Sequence, residues 1–424
     1  MTTARTEPAA AVAEVRRRPK DRKAQIARAS AESFSALGYH AVSMEAIAAQ
    51  VGISAPALYR HYASKYDLFR GAVLALGQQL VDCTDFVDAQ PEDADPAATL
   101  DRLVDALIDV TLANRESGGL YRWQARYLHG EDQSTLTDQL RVVNRRIQRP
   151  LMAIRPTLTS SHRWMLSSGL LSVIGSIVDH RVALPSDEIR ALLTEAASAL
   201  LGAELPKPED ALGRPTSWRI FESDTGVYEA LLQASMVLFN AKGYPETSMA
   251  EIASAVGIPV SGIYRYFPGK CDILSTGLRR AADRVSGRLS AILSGLAEPS
   301  QMLTLLIEAY VATSFANPEL AAIYYTERVN LTRVDQGLLR SVQRSTIDSW
   351  MRLLTSARAE LTPTQARILV HAAMALVVDV GRLVHYEHPA DDSAYPQACV
   401  RKLMEVTVFG NGEQRSRPDR RGIR

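Results

Sequence analysis

Small and apolar residues recur at three- and four-residue spacing along almost the whole chain. Examples are Ile26, Ala29, Ser33 and Leu37, and again Leu231, Ala234, Leu238 and Ala241. That spacing is the period of one face of an α-helix. No runs of alternating β-branched residues bounded by hairpin turns stand out, so the chain reads as all-α. The pattern is interrupted at Pro91/Pro96, Gly118-Gly119, Pro150/Pro156 and Pro185, then at Pro299, Pro318, Pro363 and Pro389. These are predicted helix boundaries, because proline and glycine end or start helices. Thr362-Pro-Thr-Gln365 predicts a helix start, with Thr as N-cap, Pro at the first helical position and Gln three on.

The pattern also repeats. Ala29–Leu68 and Ala234–Ile273 align without a gap at an offset of 205, with 17 of 40 positions identical. A period this long is that of a whole protein, far beyond a solenoid unit of roughly 20–50 residues. The chain therefore reads as two tandem copies of one architecture. Residues 202–216, GAELPKPEDALGRPT, are rich in proline and poor in large apolar residues, and predict a linker. The expected division is an arm (1–20), head 1 (21–77), helical body 1 (78–201), linker (202–219), head 2 (220–286), helical body 2 (287–410) and tail (411–424).

Within each head the shared residues spell a helix-turn-helix. Ser43 is placed to N-cap a short helix whose Met44, Ile47 and Val51 face inward. Ala48 is small enough for a second helix to cross closely. Gly52 permits the left-handed backbone that ends the helix, and Ile53 plugs the turn. Ser54 caps the next helix, expected over 54–62, with Leu58 inward and Tyr59, Arg60 and His61 outward. Copy two repeats the scheme at Ser248–Phe267, where Ser248-Met-Ala-Glu251 makes a fuller capping box. Such a pair of helices is a DNA-binding device, the second being the recognition helix.

Charge separates the copies. Arg16–Arg70 holds ten Lys/Arg against four Asp/Glu, a balance of +6, while Glu222–Ser275 holds three against six, a balance of −3. A local basic excess is the footprint of a polyanion partner. The arm Arg16–Lys23 is expected to track phosphate or enter a minor groove; a plain solvated tail is the alternative.

The stretch Gly38-Tyr…Ser43…Ile47-Ala…Val51-Gly-Ile…Leu58-Tyr-Arg-His-Tyr…Ser64-Lys-Tyr-Asp-Leu68 resembles the N-terminal domain of TetR/AcrR-family transcriptional regulators. So does Gly243–Ile273, including Ile263-Tyr-Arg-Tyr-Phe and Lys270-Cys-Asp-Ile273. The resemblance covers about 50 residues per copy. It implies a double-stranded DNA operator as partner, contacted by Ser43, Ala55, Pro56, Tyr59, Arg60, His61 and Lys65 in copy one. In copy two it implies Ser248, Val260, Ser261, Tyr264, Arg265, Tyr266 and Lys270. Lysine supplies charge to phosphate, a helix N-terminus supplies amides, and Arg can read guanine bidentately. Tyr62 is expected to pack in the core. The recognition helices differ, so two related but non-identical half-sites are expected.

The resemblance further implies repression, a helical ligand-binding and dimerisation domain in each copy, and release by a small apolar effector. The pairs Ser160–Ala183 with Ser186–Leu201 and Pro363–Tyr386 with Tyr395–Phe409 are expected to form one intramolecular pseudo-dimer bundle; a homodimer of tandem chains is the alternative. Candidate effector liners are Trp123, Arg126, Tyr127, Trp164, Tyr310, Tyr324, Tyr325 and His371. A second functional reading is an interaction module in which one or both heads have lost DNA binding.

No dinucleotide fingerprint, P-loop, H-E-x-x-H or Gly-x-Ser-x-Gly occurs, so no catalytic residue, cofactor or enzymatic activity is expected. Cys83, Cys271 and Cys399 lie far apart, which argues against a disulfide framework or zinc. His385-x-x-His388 sits at a predicted helix end and is not read as a metal site. No apolar run reaches the ~18–20 residues of a membrane span, and the N-terminus lacks a secretory pattern. A cytoplasmic location is expected.

Overall fold

The computed structural model describes residues 22–91, 93–210, 219–293, 298–384 and 394–410. The arm residues Arg16–Asp21, the middle of the linker, His385-x-x-His388 and the tail lie outside them. The described residues form helices and no β-strand.

Head 1 is α1 (Arg22–Leu37), α2 (Met44–Val51) and α3 (Ala55–Tyr59), closed by α4 (Lys65–Asp82). Body 1 follows with α5 (Pro96–Ala113), a π-turn at Leu120–Gln124, α6 (Gly130–Ile154), α7 (Ser160–Gly175) and α8 (Ser186–Leu201). Head 2 is α9 (Val227–Lys242), α10 (Met249–Val256) and α11 (Val260–Ile263), closed by α12 (Lys270–Leu293). Body 2 has α13 (Pro299–Ala316), α14 (Pro318–Glu327), α15 (Arg333–Ala357), α16 (Pro363–Leu383) and α17 (Ala394–Phe409).

Most predicted boundaries have local causes. Thr362 and Gln365 make the reciprocal capping box that starts α16, with Pro363 in its first turn. Pro150 is an exception, since it lies inside α6 rather than ending it. Proline removes one N–H and crowds the preceding turn. Burial of Ile147, Pro150 and Leu151 against the body core carries the helix through, to Ile154 just before Pro156.

Each head has its own apolar core, but the two bodies share one. A single cluster runs from Leu166, Leu170 and Val173 of α7 through Leu193 and Leu200 of α8 into Leu369 and Leu376 of α16 and Leu403 of α17. Gly169 makes the close approach possible: a Cβ there would stand 3.2 Å from Leu200 and 3.4 Å from Leu376. Polar contacts fasten the edges of the bundle, His162 Nε2 to Tyr395 Oη at 2.7 Å and Arg358 to Glu195 at 2.8 Å. The four helices proposed to associate thus pack together within one polypeptide.

Candidate nucleic-acid interface

In head 1 the turn is built as the residues require. Ser43 Oγ accepts from Ala46 N at 3.1 Å and caps α2. Gly52 ends α2 at φ 70, a left-handed conformation that costs glycine little, and its N–H and that of Ile53 close the helix. Ser54 Oγ then accepts from Ala57 N at 3.3 Å and caps α3. Leu58 is fully buried beneath, while Tyr59 is 47% exposed and Arg60 and His61 are exposed. Regular helix stops at Tyr59, short of the expected 62. His61 N and Tyr62 N both donate to Leu58 O, so the chain tightens into a turn that tucks Tyr62 half-buried against the core.

Head 2 keeps this framework and changes its trim. Ser248 caps α10 by accepting from Glu251 N at 3.1 Å, while Glu251 accepts from Ser248 N at 2.9 Å. Lys242 Nζ reaches the same carboxylate at 2.5 Å. These hydrogen bonds, that of Lys242 first, hold the Glu251 carboxyl down at about 2. Helix α11 has Pro259 at its N-cap position, which offers no side-chain cap, and spans only four residues. Val260, Tyr264 and Tyr266 stand exposed with Ser261 and Arg265.

The two lysines expected on phosphate also hold their own heads together. Lys65 Nζ donates to Val42 O at 2.9 Å and His40 O at 3.3 Å, beside the Tyr39 ring. Lys270 Nζ donates to Tyr244 O at 2.5 Å, Thr247 O at 2.7 Å and Pro245 O at 3.2 Å, beside the Tyr244 ring. An ammonium has three donors. Lys270 directs all three at its own turn, whereas Lys65 directs two. Burial lowers the pKa of both.

Six of the eight expected effector liners meet where the two halves join. Trp123 stacks on Tyr325 with ring centroids 4.2 Å apart, and Tyr324 lies edge-on to Tyr325. Arg126 pairs with the buried Glu327 of body 2. Tyr127 stacks on Tyr39 of head 1 at 5.6 Å, and its hydroxyl lies against Gly243 of head 2. His371 stacks on His180 at 4.3 Å. Tyr310 packs edge-on against Trp350 of its own body, and Trp164 is half-buried near the start of α7.

A further buried charge cluster in this region was not anticipated. Arg122 pairs with Asp379 at 2.8 Å and Asp179 at 3.2 Å, both side chains of the second pair being almost fully buried. Ser172 Oγ donates to Asp379 at 2.7 Å, and Trp123 Nε1 to Asp179 at 2.6 Å. Burial pushes the Asp179 carboxyl up to about 6 against the pull of Arg122. A single sequence signal was available: an aspartate embedded in each of the apolar runs Ile177-Val-Asp179 and Val377-Val-Asp379. Gln124 likewise reaches across, its Oε1 accepting from Tyr39 N of head 1 at 3.1 Å.

Residues 26–72 and 231–275 each match the family described as bacterial regulatory proteins, tetR family. The chain thus matches that family in two segments. It carries the family's head twice, in tandem. Among curated proteins the chain is similar to the HTH-type transcriptional regulator HbdR of Aromatoleum, 25% identical over 29% of this chain and 58% of HbdR. It is also similar to the HTH-type transcriptional activator FasR of Mycolicibacterium smegmatis, 43% identical over 16% of this chain and 29% of FasR. The chain thus spans 58% or less of the length of these two relatives. A solved TetR-family regulator from Bordetella parapertussis aligns with 43% of the chain and 95% of its own length, at 20% identity and a TM-score of 0.39.

Proposed function

We propose that the chain is a DNA-binding transcriptional regulator that occupies an operator through two non-identical heads held on one covalent frame. The observation that carries this reading is the outer face of head 1: Tyr59, Arg60 and His61 exposed at the end of a capped recognition helix, in the half of the repeat whose charge balance is positive. Ser43, Ala55, Pro56 and Lys65 flank that face. In head 2 the equivalent set is Ser248, Val260, Ser261, Tyr264, Arg265, Tyr266 and Lys270. Its capping-box carboxylate stands beside Ser248, where it would repel phosphate, and Lys270 is committed to its own carbonyls. Head 1 therefore supplies most of the affinity and head 2 tunes the choice of site. Repression is the outcome expected of a protein that simply occupies promoter DNA.

Release follows if a small apolar effector separates the rings packed between the halves, because Tyr127 touches both heads. A ligand shifts such an equilibrium only through its different affinity for the two states. The test is fluorescence anisotropy of the full chain on the DNA upstream of its own gene, titrated with salt. Phosphate-driven binding weakens with salt, log K falling with a slope of about −0.9 per phosphate neutralised. Binding without salt dependence overturns the reading. The second reading, head 2 as a protein-interaction module, is favoured by its exposed Val260, Tyr264 and Tyr266 within a −3 segment. A chain with Arg265→Ala and Tyr264→Ala that still binds DNA with unchanged affinity and sequence preference would favour it.

A further inference from the structure

A cleft of about 210 Å3 opens where head 2 meets its own body. Three pieces of chain build it: the end of the linker with Arg219 and Phe221, α9 with Gln233 and Val237, and the α13–α14 junction with Pro318 and Glu319. Its walls are fixed by packing and backbone bonds. Ile220 and Phe221 are buried in the head-2 core. Asn317 Oδ1 accepts from Ile220 N at 2.8 Å while its Nδ2 donates to Thr313 O at 2.8 Å, tying linker to body.

One polar atom lining the cleft stands without a partner among the described residues. Gln233 Oε1 is buried and receives no hydrogen bond from the described residues. A buried acceptor left in that state is unfavourable and calls for a donor. Glu319 is half-buried, and burial pushes its carboxyl up while a backbone hydrogen bond and then Arg219 pull it back. Arg219 stands exposed at the rim. The cleft therefore offers an acceptor and a carboxylate to a cationic N–H group, a guanidinium to an anion, and the apolar surfaces of Phe221, Val237 and Pro318 between them.

We propose that this cleft binds a small zwitterion of the α-amino-acid class with an apolar side chain. Its ammonium meets Glu319 and Gln233 Oε1, its carboxylate meets Arg219, and its side chain covers Phe221 and Val237. The volume agrees, since 210 Å3 holds roughly seven waters at about 30 Å3 each. That is below the ~300–1,000 Å3 of pockets for drug-sized ligands. Copy one has no counterpart: at the repeat offset Gln233 and Val237 correspond to Arg28 and Glu32. The ligand would thus bridge the linker, head 2 and body 2, and set the attitude of head 2 alone.

The test is calorimetric titration of the full chain, without DNA, with L-leucine and its one-ended analogues 3-methylbutylamine and 4-methylpentanoate. L-leucine is expected to bind, with each analogue about tenfold weaker or more, because each loses one charge-assisted contact. Glu319→Gln and Arg219→Ala are each expected to weaken L-leucine by a similar factor. Arg219 is exposed, so its variant keeps the test decisive if Glu319→Gln folds poorly. No saturable binding of L-leucine up to about 10 mM, a free energy near 3 kcal/mol, overturns the proposal. So do analogues that bind equally well, or an Arg219→Ala chain that binds unchanged. DNA plays no part in this readout, so its failure and a failure of operator binding are distinguishable.

Discussion

Head 1 and head 2 keep matching apolar residues inside and, apart from Tyr59/Tyr264 and Arg60/Arg265, differ on much of their outer face. Phe34 and Phe239, Ile47 and Ile252, and Leu58 and Ile263 are buried in equivalent places. Outside, Ala46 of head 1 faces Glu251 of head 2 across the repeat, Ser54 faces Pro259, and the basic approach to α1 faces an acidic approach to α9. A core position is constrained by shape on every side, so change there is costly. A surface position is constrained only by what it binds. A single chain with two heads does not need two identical surfaces, and head 2 keeps the fold with the opposite charge balance.

The comparison presumes that both heads ride on one frame, and the largest expected effect tests that frame. Burial pushes His371 down to about 4 and His180 down to about 2. Unfolded histidine takes up a proton near pH 6.5, so below that pH the unfolded state holds more protons and stability falls. The loss should reach about 2 kcal/mol per histidine at pH 5. Asp179 opposes it in part, since its raised pKa lets the folded chain take up a proton in the same window. Thermal melts from pH 7 to 5 should show the decline, and His371→Gln should remove its share. A melt independent of pH would mean the stacked pair is not buried as described.

Next in size is the contrast of recognition arginines. Arg60→Ala should weaken operator binding by about 1–3 kcal/mol, roughly five- to 150-fold. Arg265→Ala should cost less than about threefold on the same scale. Equal losses in an anisotropy titration would end the idea that head 1 dominates.

A smaller change should move the heads toward each other. Glu251→Gln removes the carboxylate beside Ser248 and should tighten DNA binding several-fold at low salt. It should cost head 2 little stability, because the glutamine keeps the cap geometry. The reciprocal Ala46→Glu should weaken head 1.

The smallest contrast lies in the lysines. Lys65→Ala should reduce the salt slope of binding by about 1. Lys270→Ala should leave the slope unchanged and instead lower the melting temperature, since it ties down three carbonyls. Matching slopes for the two variants would place both lysines on phosphate.

The heads were legible because their causes are local. Ser43 reaches Ala46 N, Gly52 stands at the end of its own helix, and Ser248 and Glu251 are three residues apart. The repeat then turned one local motif into a pair. The effector liners were read only as polar or aromatic residues on helical faces. Nothing near Trp123 in sequence indicates that it stacks on Tyr325 from the other half. The resemblance implies that Lys65 and Lys270 grip phosphate. The carbonyls they hold come from a turn 23 to 26 residues earlier, which spacing does not reveal.

By itself the sequence determined an all-α chain, two tandem heads, the turn and caps within each head, and the opposed charge of their surfaces. Each of these depends on residues within a few positions of one another or on composition. Tertiary structure alone decided that the bodies fuse into one core, that Arg122 answers Asp379 across 257 positions, and that Tyr127 lies against both heads. Those contacts exist because helices far apart in sequence are pressed together by the burial of their apolar faces. The polar groups caught between them then had to find partners in whichever half lay opposite.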